Sequence, residues 1–284
     1  MKKKIFAILI AVIVLLVAAV PAAAITDGEL DGEDHPHVVL LLMEDEIGDK
    51  WRCSGTMLSP TVVLTAGHCT NAYPWPEYTA MRIFTESDVD NGDNNYPDAG
   101  PNSIEAISWA AHDLYETAPF FYHDVGVVIL SEPYLPEVCV GEGKDEVCTE
   151  IYGTLPEADQ LDVLKTKRGK QEDWFTAVGY GLQQSFPNAV EWKTQADRVR
   201  YVAYPELIQI NAPGMTGDFS MLLSNNPHTG GTCFGDSGGP NFLLDTNIVA
   251  GVTSFGMNGN CAGTGGVFRM DRQNVLDFVN EYLE

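Results

Sequence analysis

The sequence predicts an all-β protein, a barrel or a sandwich, closed by one C-terminal helix. Its apolar runs are short and of strand length, and clusters of Gly, Pro, Asp and Asn separate them. Helical periodicity is confined to the end of the chain, where Val275, Phe278, Val279 and Tyr282 recur on one face. The 284 residues, 45% hydrophobic and 20% charged, suffice for one sizeable domain or two small halves sharing a core.

In chain order, residues 25–36 are acidic and turn-rich, and Val38 to Met43 is a continuous apolar strand. Trp51 to Leu58 and Thr61 to Ala66 alternate as a strand pair joined at Ser59-Pro60. Asp, Asn, Gly and Pro dominate from Thr85 to Pro101, the composition of a long loop. Val125 to Leu130 reads as a buried strand that Glu132-Pro133 ends. Residues 136–173 are polar and irregular, a connection between halves. Phe175 to Gly181, Val199 to Ala203, Asn247 to Phe255 and Gly266 to Met270 read as later strands. Asp271 is placed to cap the closing helix, expected over about 271–283.

The first 24 residues carry Lys2, Lys3 and Lys4, an apolar run from Ile5 to Val20, and Ala22-Ala23-Ala24. A positive start, an apolar middle and an Ala-x-Ala end read as a signal peptide over 1–24, which predicts a secreted or periplasmic product. The competing reading is a retained membrane anchor. The formal charge of −24 argues against nucleic acid or an anionic membrane as partner. In an exported chain the six cysteines are expected to pair, in an arrangement that spacing alone does not choose.

One decapeptide carries most of the chemistry: Gly231-Thr232-Cys233-Phe234-Gly235-Asp236-Ser237-Gly238-Gly239-Pro240. Glycines around a single serine suit a tight loop that presents one hydroxyl beside the N–H groups of Gly235 and Ser237. Such N–H groups can hold an oxyanion, and a serine nucleophile needs a base with an orienting acid. Thr65-Ala66-Gly67-His68-Cys69 and His123-Asp124-Val125-Gly126 offer both. These three segments, in the order His68, Asp124, Ser237, resemble the chymotrypsin/trypsin-like serine peptidases. His112-Asp113-Leu114-Tyr115 and Gly179-Tyr180-Gly181 look like two further segments of that family. The likeness weakens over residues 139–172 and 205–229.

The resemblance implies two antiparallel six-stranded barrels over 25–284, with the site between them. It implies peptide-bond hydrolysis through an acyl-enzyme, with Ser237 as nucleophile, His68 as general base and Asp124 as its orienter. Gly235 and Ser237 would form the oxyanion hole. Gly231, Ser254, Phe255, Gly256 and Gly266 would shape the substrate pocket, with neutral Gly231 at its floor and glycines leaving the slot open to large apolar or aromatic side chains. Disulfides Cys53–Cys69 and Cys233–Cys261 would follow, leaving Cys139 with Cys148. A freed Ile25 amino group would pair with Asp236, although Thr26 and Asp27 depart from the family's Ile-Val-Gly-Gly start. Gly126 also departs, since relatives usually carry alanine there, and is expected to loosen the strand slightly.

The resemblance calls for no cofactor, for protein or peptide substrates, and for a monomer. His35, His37, His112 and His228 show no metal-ligand spacing, and His123 is expected to face away from Asp124. No metal is expected; the acidic stretch Asp88 to Asn95 lacks the calcium-loop pattern and reads as a solvated loop. Two rival readings are an inactive protease-like binding protein and a serine esterase. The intact trio disfavours the first, and the Gly-Asp-Ser-Gly-Gly setting, unlike the Gly-x-Ser-x-Gly elbow, disfavours the second.

Overall fold

A computed structural model describes residues 25–283 apart from 73–76, 116–121, 142–145, 167–172, 184–195 and 212–214. The expected signal peptide lies outside the described residues. Among the described residues, no helix is long and apolar enough to cross a membrane.

The first half is a closed six-stranded barrel in the order β2-β3-β4-β7-β6-β5. Its strands are β2 (Val38–Asp45), β3 (Lys50–Ser59), β4 (Val62–Thr65), β5 (Tyr78–Phe84), β6 (Ser103–Ala111) and β7 (Gly126–Leu130). Antiparallel pairing runs throughout, from Val38↔Thr56 to Thr65↔Gly126. Alternation explains why β2 reads as an unbroken apolar run. Val39, Leu41 and Met43 fill the barrel interior, whereas Val38, Leu40 and Leu42 face the second half.

The second half is an eight-stranded sheet in the order β1-β11-β10-β14-β15-β16-β13-β12. Its members are β1 (Glu29–Leu30), β10 (Phe175–Gly179), β11 (Tyr201–Ala203), β12 (Leu207–Ile210), β13 (Ser220–Asn225), β14 (Pro240–Leu243), β15 (Val249–Gly256) and β16 (Gly263–Arg269). A bridge between Trp174 and Glu206 returns the start of β12 to the start of β10. Six of the eight strands therefore curl into a second barrel-like unit, with β11 and β1 running beyond it. Between the halves, β8 (Glu137–Val140) and β9 (Val147–Glu150) form a separate two-stranded hairpin.

The largest buried cluster is the seam. Val38, Leu40, Leu42, Leu64, Phe84 and Val127 of the first half meet Val178, Tyr180, Phe242, Val252 and Phe268 of the second. The helix Gln273–Asn280 closes this seam with Val275, Phe278 and Val279. Its N-cap is Arg272, which makes no side-chain cap bond. Asp271, the expected cap, is fully buried elsewhere: it pairs with Arg269 at 2.7 Å and accepts the Leu161 N–H at 2.8 Å. A buried guanidinium outcompetes a helix N–H for a carboxylate, because an unpaired buried charge costs far more.

Candidate active site

His68 sits on a single helical turn, Gly67–Thr70, that follows β4. The turn is anchored by a disulfide from Cys69 to Cys53 on β3. Its entrance requires glycine, since a Cβ on Gly67 would lie 2.8 Å from the Tyr115 ring. Asp124 immediately precedes Val125 and β7, and is fully buried. Its carboxylate accepts the His68 backbone N–H at 2.9 Å and the His68 Nδ1–H at 2.9 Å. The Ser254 hydroxyl donates to the same carboxylate at 2.5 Å. Ser254, expected in the pocket wall, thus also helps to hold Asp124 through its side chain.

A carboxylate accepts only, so Nδ1 carries the proton and Nε2 is left as an acceptor. Burial on its own would lower the His68 pKa. The Asp124 charge and hydrogen bond outweigh it, and the pKa is raised.

Ser237 lies on a loop whose Gly235 and Gly238 adopt φ of +98° and +77°, open to glycine at little cost. The loop abuts the histidine turn: a Cβ on Gly238 would lie 2.0 Å from Thr65 Oγ1 and 2.7 Å from the Ala66 nitrogen. Ser54, a residue the sequence reading missed, fastens the two. Its N–H donates to the Ser237 carbonyl at 2.8 Å, and its hydroxyl donates to the Gly235 carbonyl at 3.0 Å. The same hydroxyl accepts the Tyr180 N–H. Its position beside Cys53 was the available signal, because that cysteine is bonded to the neighbour of His68. Among the described residues, the N–H groups of Gly235 and Ser237 have no protein acceptor.

Asp236 is fully buried and accepts the N–H groups of Gly181 and Cys233, each at 2.8 Å. Burial pushes its pKa up to about 7 against the pull of those two bonds. Among the described residues, no side-chain cation pairs with it. Ile25 is fully buried against Ala177, Tyr201 and Ala203. Thr26 docks on Gly231, whose N–H donates to the Thr26 carbonyl at 3.0 Å. The start of the domain thus lies along the segment that leads to Asp236.

At the expected pocket, Gly231 leaves room for a neighbour. A Cβ there would lie 2.5 Å from the Asn225 Cγ. The Asn225 amide is fully engaged on both sides, accepting from Thr26 Oγ1 at 2.6 Å and donating to the Thr232 carbonyl at 2.8 Å. The Cys233–Cys261 disulfide is formed. The expected openness at Gly266 is corrected: the Phe255 ring occupies that space, 2.3 to 2.5 Å from where a Cβ would be. A register shift between Thr253 and Phe255 sets Phe255 opposite Gly266. At Gly256 a Cβ would lie 3.3 Å from the Asn258 carbonyl oxygen, a tight contact.

The third disulfide joins Cys139 and Cys148. Sulfur and nitrogen atoms of Cys53, His68 and Cys69 lie close enough for a metal. Both cysteines are oxidised, so the group offers no thiolate and does not fit one. His123 stacks on His112 with centroids 5.0 Å apart. In the acidic loop, Val89 is fully buried and the buried Asn94 donates to its carbonyl at 2.8 Å, so this segment is pinned at its centre.

Comparison with known proteins gives the family and the fold. The family described as Trypsin matches residues 28–279. A trypsin of Saccharopolyspora erythraea is 27% identical over 242 residues, covering 83% of this chain and 88% of its own. Phenoloxidase-activating factor 3 of Holotrichia diomphalia is 25% identical, and the match covers 75% of this chain and 59% of that protein. The solved structure of HL collagenase superposes with a TM-score of 0.62 at 19% identity, over 91% of this chain and 98% of its own, a likeness of fold.

Proposed function

We propose, since the chain belongs to the trypsin family, that it is an active serine endopeptidase working through Ser237, His68 and Asp124. The observation that carries this reading is the His68–Asp124 pair: Nδ1–H is committed to a buried carboxylate at 2.9 Å, on a turn that the Ser237 loop abuts through Gly238. In the proposed reaction, Ser237 Oγ attacks the scissile carbonyl while Nε2 accepts its proton. The N–H groups of Gly235 and Ser237 hold the oxyanion, and His68 returns the proton to the leaving amine. Water then releases the acyl group by the same route. No cofactor takes part, protein or peptide chains are the substrates, and the enzyme acts as a monomer.

A preference for large apolar or aromatic residues before the scissile bond is supported by the neutral residue Gly231 at the expected floor. Gly231 itself offers a cationic side chain no carboxylate, and a desolvated unpaired cation is costly. Export with cleavage after Ala24 is the proposed route to the active form. In the full chain the Ile25 nitrogen is a peptide nitrogen, and cleavage would turn it into the cation that buried Asp236 lacks.

A fluorophosphonate probe with mass-spectrometric mapping tests the reading. The expected result is one adduct on Ser237, hydrolysis of peptide amides, and neither with Ser237→Ala. A folded protein that takes no adduct and cleaves no amide would be a binding protein, and the proposal would fail.

A further inference from the structure

The three disulfides sit in unlike surroundings. Cys53, Cys69, Cys233 and Cys261 are buried, at 3%, 0%, 7% and 4% exposure. Cys139 and Cys148 are both exposed, on a hairpin whose two strands are exposed at every position but Val138 and pair only with each other. An isolated two-stranded hairpin is marginal in water, so this bond is a principal tie between β8 and β9.

Register sharpens the point. Cys139 lies opposite Cys148, and Glu137 lies opposite Glu150. Alternation puts all four on one face of the hairpin. A Glu137 carboxylate oxygen and the two sulfurs lie within 4.8 Å of one another. Like charges directly across a strand pair push it apart, so the bond works against the two glutamates.

We propose that Cys139–Cys148 is a thiol–disulfide exchange site, open to cationic or neutral thiols and reducible without disturbing the rest of the fold. A thiolate of the reductant attacks one sulfur and forms a mixed disulfide, releasing the other cysteine as a thiolate that takes up a proton. A second thiol of the reductant resolves the mixed disulfide. Two cysteine thiols and one oxidised reductant result, with the two electrons accounted for. Glu137 and Glu150 repel an anionic thiolate at the attacked sulfur and attract a thiol bearing an ammonium group. This proposal does not depend on the catalytic reading.

The test treats the folded protein at low ionic strength with cysteamine or with 2-mercaptoethanesulfonate, matched for thiolate concentration, followed by iodoacetamide and peptide mapping. Alkylation is expected at Cys139 and Cys148 before any at the other four, with far-ultraviolet circular dichroism retained. Cysteamine should react about tenfold faster, a gap that closes in about 1 M salt and in Glu137→Gln/Glu150→Gln. The variant Cys139→Ser/Cys148→Ser should fold and keep the other two bonds. Reduction of Cys53–Cys69 or Cys233–Cys261 first, loss of all three together, or failure of the serine variant to fold would overturn the proposal. Equal rates for the two thiols would overturn its charge selectivity.

Discussion

Thr70 fills the space that a side chain on Gly126 would need. A Cβ on Gly126 would lie 2.3 Å from the Thr70 hydroxyl oxygen and 2.9 Å from its methyl. The glycine therefore does not loosen β7, as the sequence suggested, because the threonine of the histidine turn packs there. Gly126→Ala should destabilise by about 1 to 3 kcal/mol, the usual cost of overpacking. Adding Thr70→Ala should recover part of it, since the Ala66 carbonyl oxygen, 2.9 Å from the same Cβ, remains, giving a coupling that a denaturant double-mutant cycle reads directly. An additive cycle would show that the two residues do not compete.

The His68–Asp124 pair sets the pH dependence expected of the proposed enzyme. Catalysis needs His68 neutral, so the rate should rise with pH through its pKa. Burial lowers that pKa and Asp124 more than offsets it, so the midpoint of the acidic limb should lie above the ordinary 6.5. In Asp124→Asn the charge is gone and burial remains, so the midpoint should move below 6.5. The plateau should also fall by about 10³- to 10⁴-fold, because the asparagine no longer fixes the useful tautomer. A limb that does not move in kcat/KM profiles would separate His68 from the base.

Specificity should resist the obvious switch. Placing a carboxylate at the floor with Gly231→Asp meets Asn225, whose backbone and side chain lie 2.5 to 2.8 Å from the new Cβ. The variant should lose stability and show no gain in cleavage after Lys or Arg, measured on a peptide library. Efficient Arg cleavage by a stably folded Gly231→Asp would show that Asn225 yields.

The start of the domain gives a further expectation. A protein carrying one additional residue before Ile25 should lose most of its amidase activity, since its amino group cannot reach the place that buried Asp236 offers. Full activity with that residue confirmed by N-terminal sequencing would disconnect Ile25 from Asp236.

Much of the first barrel was legible because its strands carry local signals. Val38 to Met43 is too apolar for anything but a strand buried on both faces, and Ser59-Pro60 marks a turn. The His68, Asp124 and Ser237 segments stood out because motif chemistry is local, whereas the disulfide partners came from the family resemblance, since spacing alone leaves them open. By contrast, β6 carries mostly half-buried or exposed residues, so its alternation is faint. Strands β12 and β13 are short, and their pairing, with a register shift between Leu207 and Gln209, depends on distant partners. Thr70 and Asn225 act through space on Gly126 and Gly231, and nothing in their own neighbourhoods announces it; Ser54 acts on Ser237 with only the adjacent Cys53 as a signal. Asp271 shows the same limit, since its cap position was plain and Arg269 took it.

His37 provides the last prediction. It is fully buried at the seam, its ring 5.3 Å from Phe242 and 5.9 Å from His35, and neither ring nitrogen has a hydrogen-bond partner. Burial first, then the electrostatic influence of His35 and Arg200, lower its pKa to about 3, against a smaller opposing pull from Asp31. Below the ordinary value of 6.5 an unfolded chain binds a proton here that the folded chain refuses, so stability falls as pH drops from about 6.5 towards 3 and then levels. The full span amounts to about 4 to 5 kcal/mol, since each pKa unit is worth about 1.4 kcal/mol. His37→Phe keeps an aromatic ring against Phe242 and removes both the orphaned nitrogens and the titration. Its unfolding free energy, from denaturant melts between pH 4.5 and 6.5, should exceed the parent's most at the acid end. Its slope against pH should be shallower by close to one proton. Identical slopes for the two proteins would place the acid sensitivity elsewhere, first at the stacked His112 and His123, whose pKa values burial also lowers.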